Sequence, residues 1–247
     1  MTRLYDTIGV DYAALRRPDP RIAAQIVAAL GPAETILNVG AGSGSYEPAG
    51  RTITAVEPSA EMIRQRQPSA ATVVQGNAED LPFGDRSFDA AMAILTVHHW
   101  HDPARGLREM RRVTRGPVVI LTYDPSFRGF WLADYVPQLV ALDDVRMPPL
   151  GLYAAALGPV DIAPVPIPHD CVDGFLCAYW RRPAAYLDPR IRAAMSSFWA
   201  VGDVSAQMAR LARDLADEAW TRRYGAMLQQ DACDLGYRLV VAPALAD

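Results

Sequence analysis

Long apolar runs are missing from this sequence: none approaches the ~20 residues a membrane-crossing helix needs. The opening residues, MTRLYDTIGVDY, lack the apolar stretch of a secretory signal. Cysteine is scarce as well. Cys171, Cys177 and Cys233 are odd in number and stand at no metal-like spacing, which argues against a disulfide framework or a zinc site. A basic excess is also lacking, with 24 Lys+Arg against 28 Asp+Glu and a formal net charge of -4. That balance argues against holding nucleic acid on a broad basic surface. These absences predict a reduced, cytoplasmic protein without a membrane span, a bound metal or a nucleic-acid partner. What is present is globular material. The 247 residues are 51% hydrophobic and 21% charged, enough for one substantial core.

Short apolar runs alternate with helical stretches. Asp19-Pro20 reads as an N-cap with proline at the first helical position, Ile22, Ile26, Val27 and Leu30 recur at helical spacing, and Gly31-Pro32 stops the helix. Strands are predicted at 35–40, 51–57, 71–76, 88–95 and 117–123, with Ser59 opening a short helix and Asp102-Pro103 capping a second. Strands alternating with helices give a parallel, doubly wound, Rossmann-like α/β sheet over about 32–124. Proline crowds 159–170, which reads as one extended edge strand, since an edge tolerates proline. Helices are predicted near 173–187, 190–201 and 205–230, and a last strand at 236–243. The expectation is a single α/β domain with a mostly parallel seven-stranded sheet and an antiparallel last strand. A helical lid would come from 1–18 and about 125–231.

The stretch Asn38-Val39-Gly40-Ala41-Gly42-Ser43-Gly44 follows the first strand, and its glycines permit a tight turn and close backbone approach to a ligand. Alone it is a weak signal, because the third glycine of a dinucleotide G-x-G-x-x-G is Ser45 here. Glu57, at the end of the next strand, adds a carboxylate placed to accept hydrogen bonds from ribose hydroxyls. Together they indicate a nucleoside-containing cofactor.

A third segment narrows the choice. Gly76-Asn77-Ala78-Glu79-Asp80-Leu81-Pro82-Phe83, followed by Ser87-Phe88-Asp89, resembles the G-D-A-x-x-L-P-F…S-F-D signature of class I S-adenosylmethionine (SAM)-dependent methyltransferases. The resemblance is to the small-molecule type typified by the ubiquinone and menaquinone biosynthesis enzymes. ILNVGAGSG, AVEPSAEMI, LTVHHWHD and LREMRRVTRGPVVIL agree in order, so the likeness covers roughly 35–122. It implies SAM as cofactor and S-adenosylhomocysteine (SAH) as product. It also implies that Gly40, Ala41 and Gly42 line the methionine part and that Glu57 binds the ribose. Pro58 and Met62 would pack on adenine, Asn77 and the Ala78 amide would meet its edge, and Ala93 and Ile94 would offer main-chain contacts. Asn38 belongs to the first motif, where the family carries an acid. Asn77 likewise replaces an acid, and its carbonyl can still accept a hydrogen bond.

Only six residues separate Gly44 from Arg51, too few for the helix that normally follows the first strand. The expectation is a weaker or differently oriented site for the cofactor carboxylate, with no helix dipole to help. Tyr12 and Arg17, ahead of the first helix, are candidates to reach that carboxylate, against the alternative of a surface arm. His98 and His99 follow the fourth strand and are candidate general bases, against a packing role. Trp131, Tyr135, Phe175, Tyr179, Trp180, Phe198 and Trp199 each read singly as helix core, and as a group are candidates for an apolar lid. Arg105, Arg108, Arg111, Arg112 and Arg115 read as the solvated face of an amphipathic helix, and Asp102 as its cap. The Asn-Pro-Pro-Tyr motif of amide and base-amine methylation is replaced by Thr96-Val97-His98-His99. The expected activity is methyl transfer to a small apolar or aromatic metabolite. A SAM-binding protein without turnover and a nicotinamide-dependent oxidoreductase are the alternatives.

Overall fold

The protein is described by a computed structural model covering residues 15–245. Helix α1 (Pro20–Leu30) starts where Asp19 accepts the Arg21 amide at 3.0 Å and ends at Gly31, whose φ of 60° favours glycine. It buries Ile22, Ile26 and Leu30. Then follow β1 (Thr35–Val39), β2 (Thr52–Glu57), α2 (Ala60–Arg64), β3 (Thr72–Gln75), β4 (Ala90–Ile94), α3 (Pro103–Val113) and β5 (Val118–Tyr123). The second half contains α4 (Gln138–Arg146), α5 (Gly151–Leu157), β6 (Asp161–Pro164), β7 (Ile167–Pro168), α6 (Pro189–Ala193) and α7 (Ser196–Val201). It ends with α8 (Ser205–Ala216), α9 (Ala219–Tyr224), β8 (Ala232–Cys233) and β9 (Tyr237–Ala242).

Seven strands form one sheet in the order β3-β2-β1-β4-β5-β9-β6. β1 to β5 pair in parallel, and β9 runs antiparallel to both β5 and β6. Side chains alternate between two cores, as a pleated strand buried on both faces requires. Ile36, Val119 and Leu121 join the side covered by α1, whereas Leu37, Val118 and Ile120 face Leu107, Met110 and Val113 of α3. The strand order reverses between β1 and β4, so the crevice beyond their carboxyl ends is where such a sheet takes a ligand. No helix connects β1 to β2; turns occupy 40–51.

The second half departs from its expected elements at proline and at strained backbone. The expected single edge strand is broken after Pro164, since Pro164 and Pro166 donate no backbone hydrogen bond. β6 stays in the main sheet, while β7 pairs with β8 in a separate two-stranded ladder. The helix expected over 173–187 is instead a run of turns ending in a 3-10 helix at Pro183–Leu187. The helix expected over 205–230 breaks at Glu218, where φ is +62°.

The aromatic group expected to form a lid is mainly core. The Trp131 ring meets Trp220 at 5.3 Å, Tyr186 at 5.5 Å and Tyr135 at 6.0 Å, all edge to face. Its indole donates to the Trp180 carbonyl at 2.8 Å. Trp180 and Phe198 are buried and Trp199 is exposed, which leaves Phe175 as the one member of that group on the main cavity wall.

Candidate functional site

A cavity of about 820 Å³ opens beyond the carboxyl ends of the parallel strands. One side is built from the loops after β1, β2, β3 and β4. Gly40 has a φ of +68°, and a Cβ there would lie 2.1 Å from the Thr96 hydroxyl, so only glycine lets the two loops meet this closely. The Gly40 and Ala41 amides both donate to the Val56 carboxyl-end carbonyl, at 2.8 and 3.0 Å. The Gly42 amide donates to Glu57 at 2.8 Å. The turn is thus pinned to β2 by its own amides and offers a ligand shape and space in place of a helix terminus.

Glu57 is buried, 7% exposed, yet lines the cavity. Burial pushes its carboxyl above the usual carboxylate range, while the Ser59 and Gly42 amides and the Arg66 charge pull it down. One oxygen accepts from Gly42, and the other accepts from Ser59 at 2.9 Å. A carboxylate has about four acceptor positions, so lone pairs remain for a pair of hydroxyls. Around it stand Pro58, Met62, Asn77, Ala78 and Ile94, all on the cavity wall. These residues fit an adenosine: a carboxylate for the ribose, apolar side chains for the ring faces, and an amide side chain at the rim.

Three sequence candidates lie elsewhere. Asn38 is buried behind the wall, donating to Glu47 at 3.0 Å, because β1 turns its side chain toward the loop that replaces the missing helix. There Glu47 also pairs with Arg66 at 2.7 Å, away from the cavity wall. Ala93 is fully enclosed within β4 and does not reach the cavity, whereas its neighbour Ile94 does. Arg17 is exposed, and the adjacent Arg16 takes the cavity position. Asp173, 1% exposed, holds Arg16 at 2.6 Å and also accepts the Tyr46 hydroxyl at 2.9 Å. Tyr12 lies outside the described residues.

His98 and His99 are on the wall, their ring centroids 3.9 Å apart. Burial drives the His98 pKa well down, helped by His99, Arg146 and Arg16. Burial with Arg146 and Arg16 brings His99 to about 4. Both rings are therefore neutral at pH 7, able to accept a proton but weakly basic. Asp102 caps α3 by accepting the Arg105 amide at 2.9 Å. Arg105 and Arg108 are exposed, as a solvated face implies, but the other three arginines on and just after α3 are tied down. Arg112 bonds the Leu81 and Phe83 carbonyls, Arg111 bonds Thr114, Gly116 and Pro243, and Arg115 pairs with Asp89.

The other side of the cavity comes from distant positions: Tyr123, Asp143, Met147, Leu176, Met195 and Tyr237, with Ser196, Ser197 and Phe175. Except for Phe175, sequence reasoning missed them. One signal was available for Asp143, an acid on the buried stripe of α4 one turn after Leu139. Leu95 and Tyr46, also on the wall, hold φ values of 52° and 64°. Such strain in non-glycine residues gathers at functional sites.

Among the described residues, no cluster could hold a metal ion and no helix is long and apolar enough to cross a membrane. The methyltransferase domain family matches residues 37–120. The chain is 32% identical over 80 residues to 2-methyl-6-phytyl-1,4-hydroquinone methyltransferase 2 of Oryza sativa, a match covering 32% of this chain and 23% of that protein. It is 32% identical over 108 residues to the demethylmenaquinone methyltransferase of Renibacterium salmoninarum, covering 40% and 46%. The chain thus aligns with less than half the length of these curated relatives. A crystal structure of a putative methyltransferase from an antibiotic biosynthesis pathway of Anabaena variabilis superposes with a TM-score of 0.86. Its sequence is 35% identical, covering 92% of this chain and 98% of that one. With the sheet order, the glycine turn and the Glu57 carboxylate, these matches place the chain in the class I SAM-dependent methyltransferase family.

Proposed function

We propose that this protein methylates a small apolar or aromatic metabolite in the cytoplasm, drawing the methyl group from SAM. The observation that carries the reading is the continuity of the cavity of about 820 Å³. It joins the adenosine-fitting wall around Glu57 to an apolar and aromatic wall of Tyr123, Met147, Phe175, Met195 and Tyr237. When bound, SAM supplies an electrophilic methyl on a cationic sulfur. The protein's task is to hold a nucleophile in line with that methyl and to exclude water.

Glu57 holds the ribose hydroxyls, Pro58 and Met62 pack against adenine, and Asn77 with the Ala78 amide meets the base edge. Ile94 offers main-chain contacts, and Gly40, Ala41 and Gly42 leave room for the methionine part. Arg16, oriented by Asp173, is suited to a carboxylate at that end. His98 and His99, kept neutral, accept the proton that the nucleophile releases. The net charge of -4 disfavours nucleic acid as the acceptor.

Calorimetric titration with SAH, followed by incubation with SAM and a panel of phenols and aromatic amines, tests the reading. SAH binding and a mass gain of one methyl group on at least one acceptor are expected. SAH binding without transfer to any acceptor would favour a SAM-binding role without turnover, and tighter binding of a nicotinamide cofactor would overturn the reading.

A further inference from the structure

One buried acid on the cavity wall has no task in the scheme above. Asp143 is 8% exposed and sits on the inward stripe of α4 with Leu139. Its backbone carbonyl accepts the Met147 amide at 2.9 Å, but among the described residues no hydrogen bond reaches its side chain. Among the described residues each of the other three buried acids is held: Asp19 by Arg21, Asp173 by Arg16 and Tyr46, Glu57 by two amides. Burying a carboxylate without a partner is costly, and in folded proteins such groups pair or are hydrogen-bonded. Asp143 borders the main cavity and also a smaller one of about 250 Å³, with Tyr123 and Leu176 shared between the two.

Resting on the proposed methyl transfer, we infer that Asp143 is the acceptor-recognising residue, its carboxylate accepting a hydrogen bond from a ring hydroxyl of the metabolite. A bound hydroxyl supplies the missing donor, and the aromatic rings of Tyr123, Phe175 and Tyr237 suit the ring that carries it. Discrimination of this kind is strong, because an analogue lacking the hydroxyl leaves the acid unpaired again. An ammonium group would also be attracted to a carboxylate, so the probes must separate it from a hydroxyl.

The test uses protein saturated with SAH and fluorescence titration with naphthalene, 2-naphthol and (2-naphthylmethyl)ammonium. In the wild type, 2-naphthol should bind about tenfold or more tighter than naphthalene. Asp143→Leu should bring the two within about threefold, and Asp143→Asn, whose neutral carbonyl still accepts, should keep part of the advantage. SAH affinity checks the fold of each variant, and if the Leu variant does not fold, a several-fold drop in the Asn variant carries the test. Equal binding of the two probes in the wild type, or an advantage that survives Asp143→Leu, overturns the assignment and leaves the aromatic-acceptor reading standing. A gain confined to the ammonium probe overturns the hydroxyl assignment. Binding of SAH but of no probe overturns the aromatic-acceptor reading and this assignment together.

Discussion

At the cofactor end of the cavity, the walls come from positions 40–105, on loops that follow consecutive parallel strands. At the acceptor end they come from Tyr123, Asp143, Phe175, Met195 and Tyr237, spread over more than a hundred residues of chain. The first end is held by backbone hydrogen bonds at the tips of the sheet: Gly40, Ala41 and Gly42 all donate to β2. The second is held by side-chain packing around Trp131, with Trp220 and Tyr186 against its ring. A cofactor common to a family is met by local, repeatable geometry. The acceptor wall joins the paired strand ends Tyr123 and Tyr237 to short helices and turns, and its helical part can change without disturbing the sheet.

The largest expected effect separates these two modes of support. Trp131→Ala removes a ring that is 3% exposed and in contact with several others, and should destabilise the protein by ~3–5 kcal/mol. Thermal unfolding with and without SAH measures it. None of the rings packed directly on Trp131 lines the cofactor wall, so the folded fraction should still bind SAH with its wild-type affinity. A loss of SAH affinity in proportion to the stability loss would show that the two ends are one cooperative unit.

Glu57→Ala probes the opposite end. The carboxylate holds two loop amides and faces the ribose, so cofactor affinity should fall by ~1–3 kcal/mol, the scale of hydrogen bonds to a charged group. Titration with SAH measures this, and binding of an aromatic probe at the acceptor end should change little. An unchanged SAH affinity would remove Glu57 from the cofactor site.

The same contrast explains what could be read from the chain. The glycine turn, Glu57 and the Gly76–Phe83 segment are contiguous, and each strand tip sets where its loop points, so spacing along the sequence becomes position in space. Pro164 and Pro166 announced an edge, yet nothing local revealed that β7 would leave the sheet to pair with β8. Arg16 rather than Arg17 reaches the cavity because Asp173, more than 150 residues away, holds it, a contact no periodicity can report. Trp131, Trp180 and Phe198 each read singly as core and only as a group as a lid, since an aromatic side chain serves both, and their packing bears out the core reading.

The smallest expected effect runs in the opposite direction and belongs to the acceptor end. Burial, with Asp144 adding repulsion against the attraction of Arg128, raises the Asp143 pKa from 3.8 to about 6. A carboxyl whose pKa is raised by folding contributes stability in full below its unfolded value, and that contribution is lost as the pH rises through its folded value. Above pH 6 the native protein therefore carries an ionised, unpaired acid that the unfolded chain would hydrate. Asp143→Asn cannot ionise, so it should be more stable than wild type by ~1–2 kcal/mol at pH 7, and the gain should shrink to nothing as the pH falls from about 6 to below 3.8. Melting temperatures of the two proteins across that range measure it. A variant that is stabilised yet poorer at recognising a ring hydroxyl is the mark of a group kept for binding against the interest of the fold. A variant less stable than wild type at pH 7 would mean instead that the acid is a structural partner within α4, and the acceptor wall would need another source of selectivity.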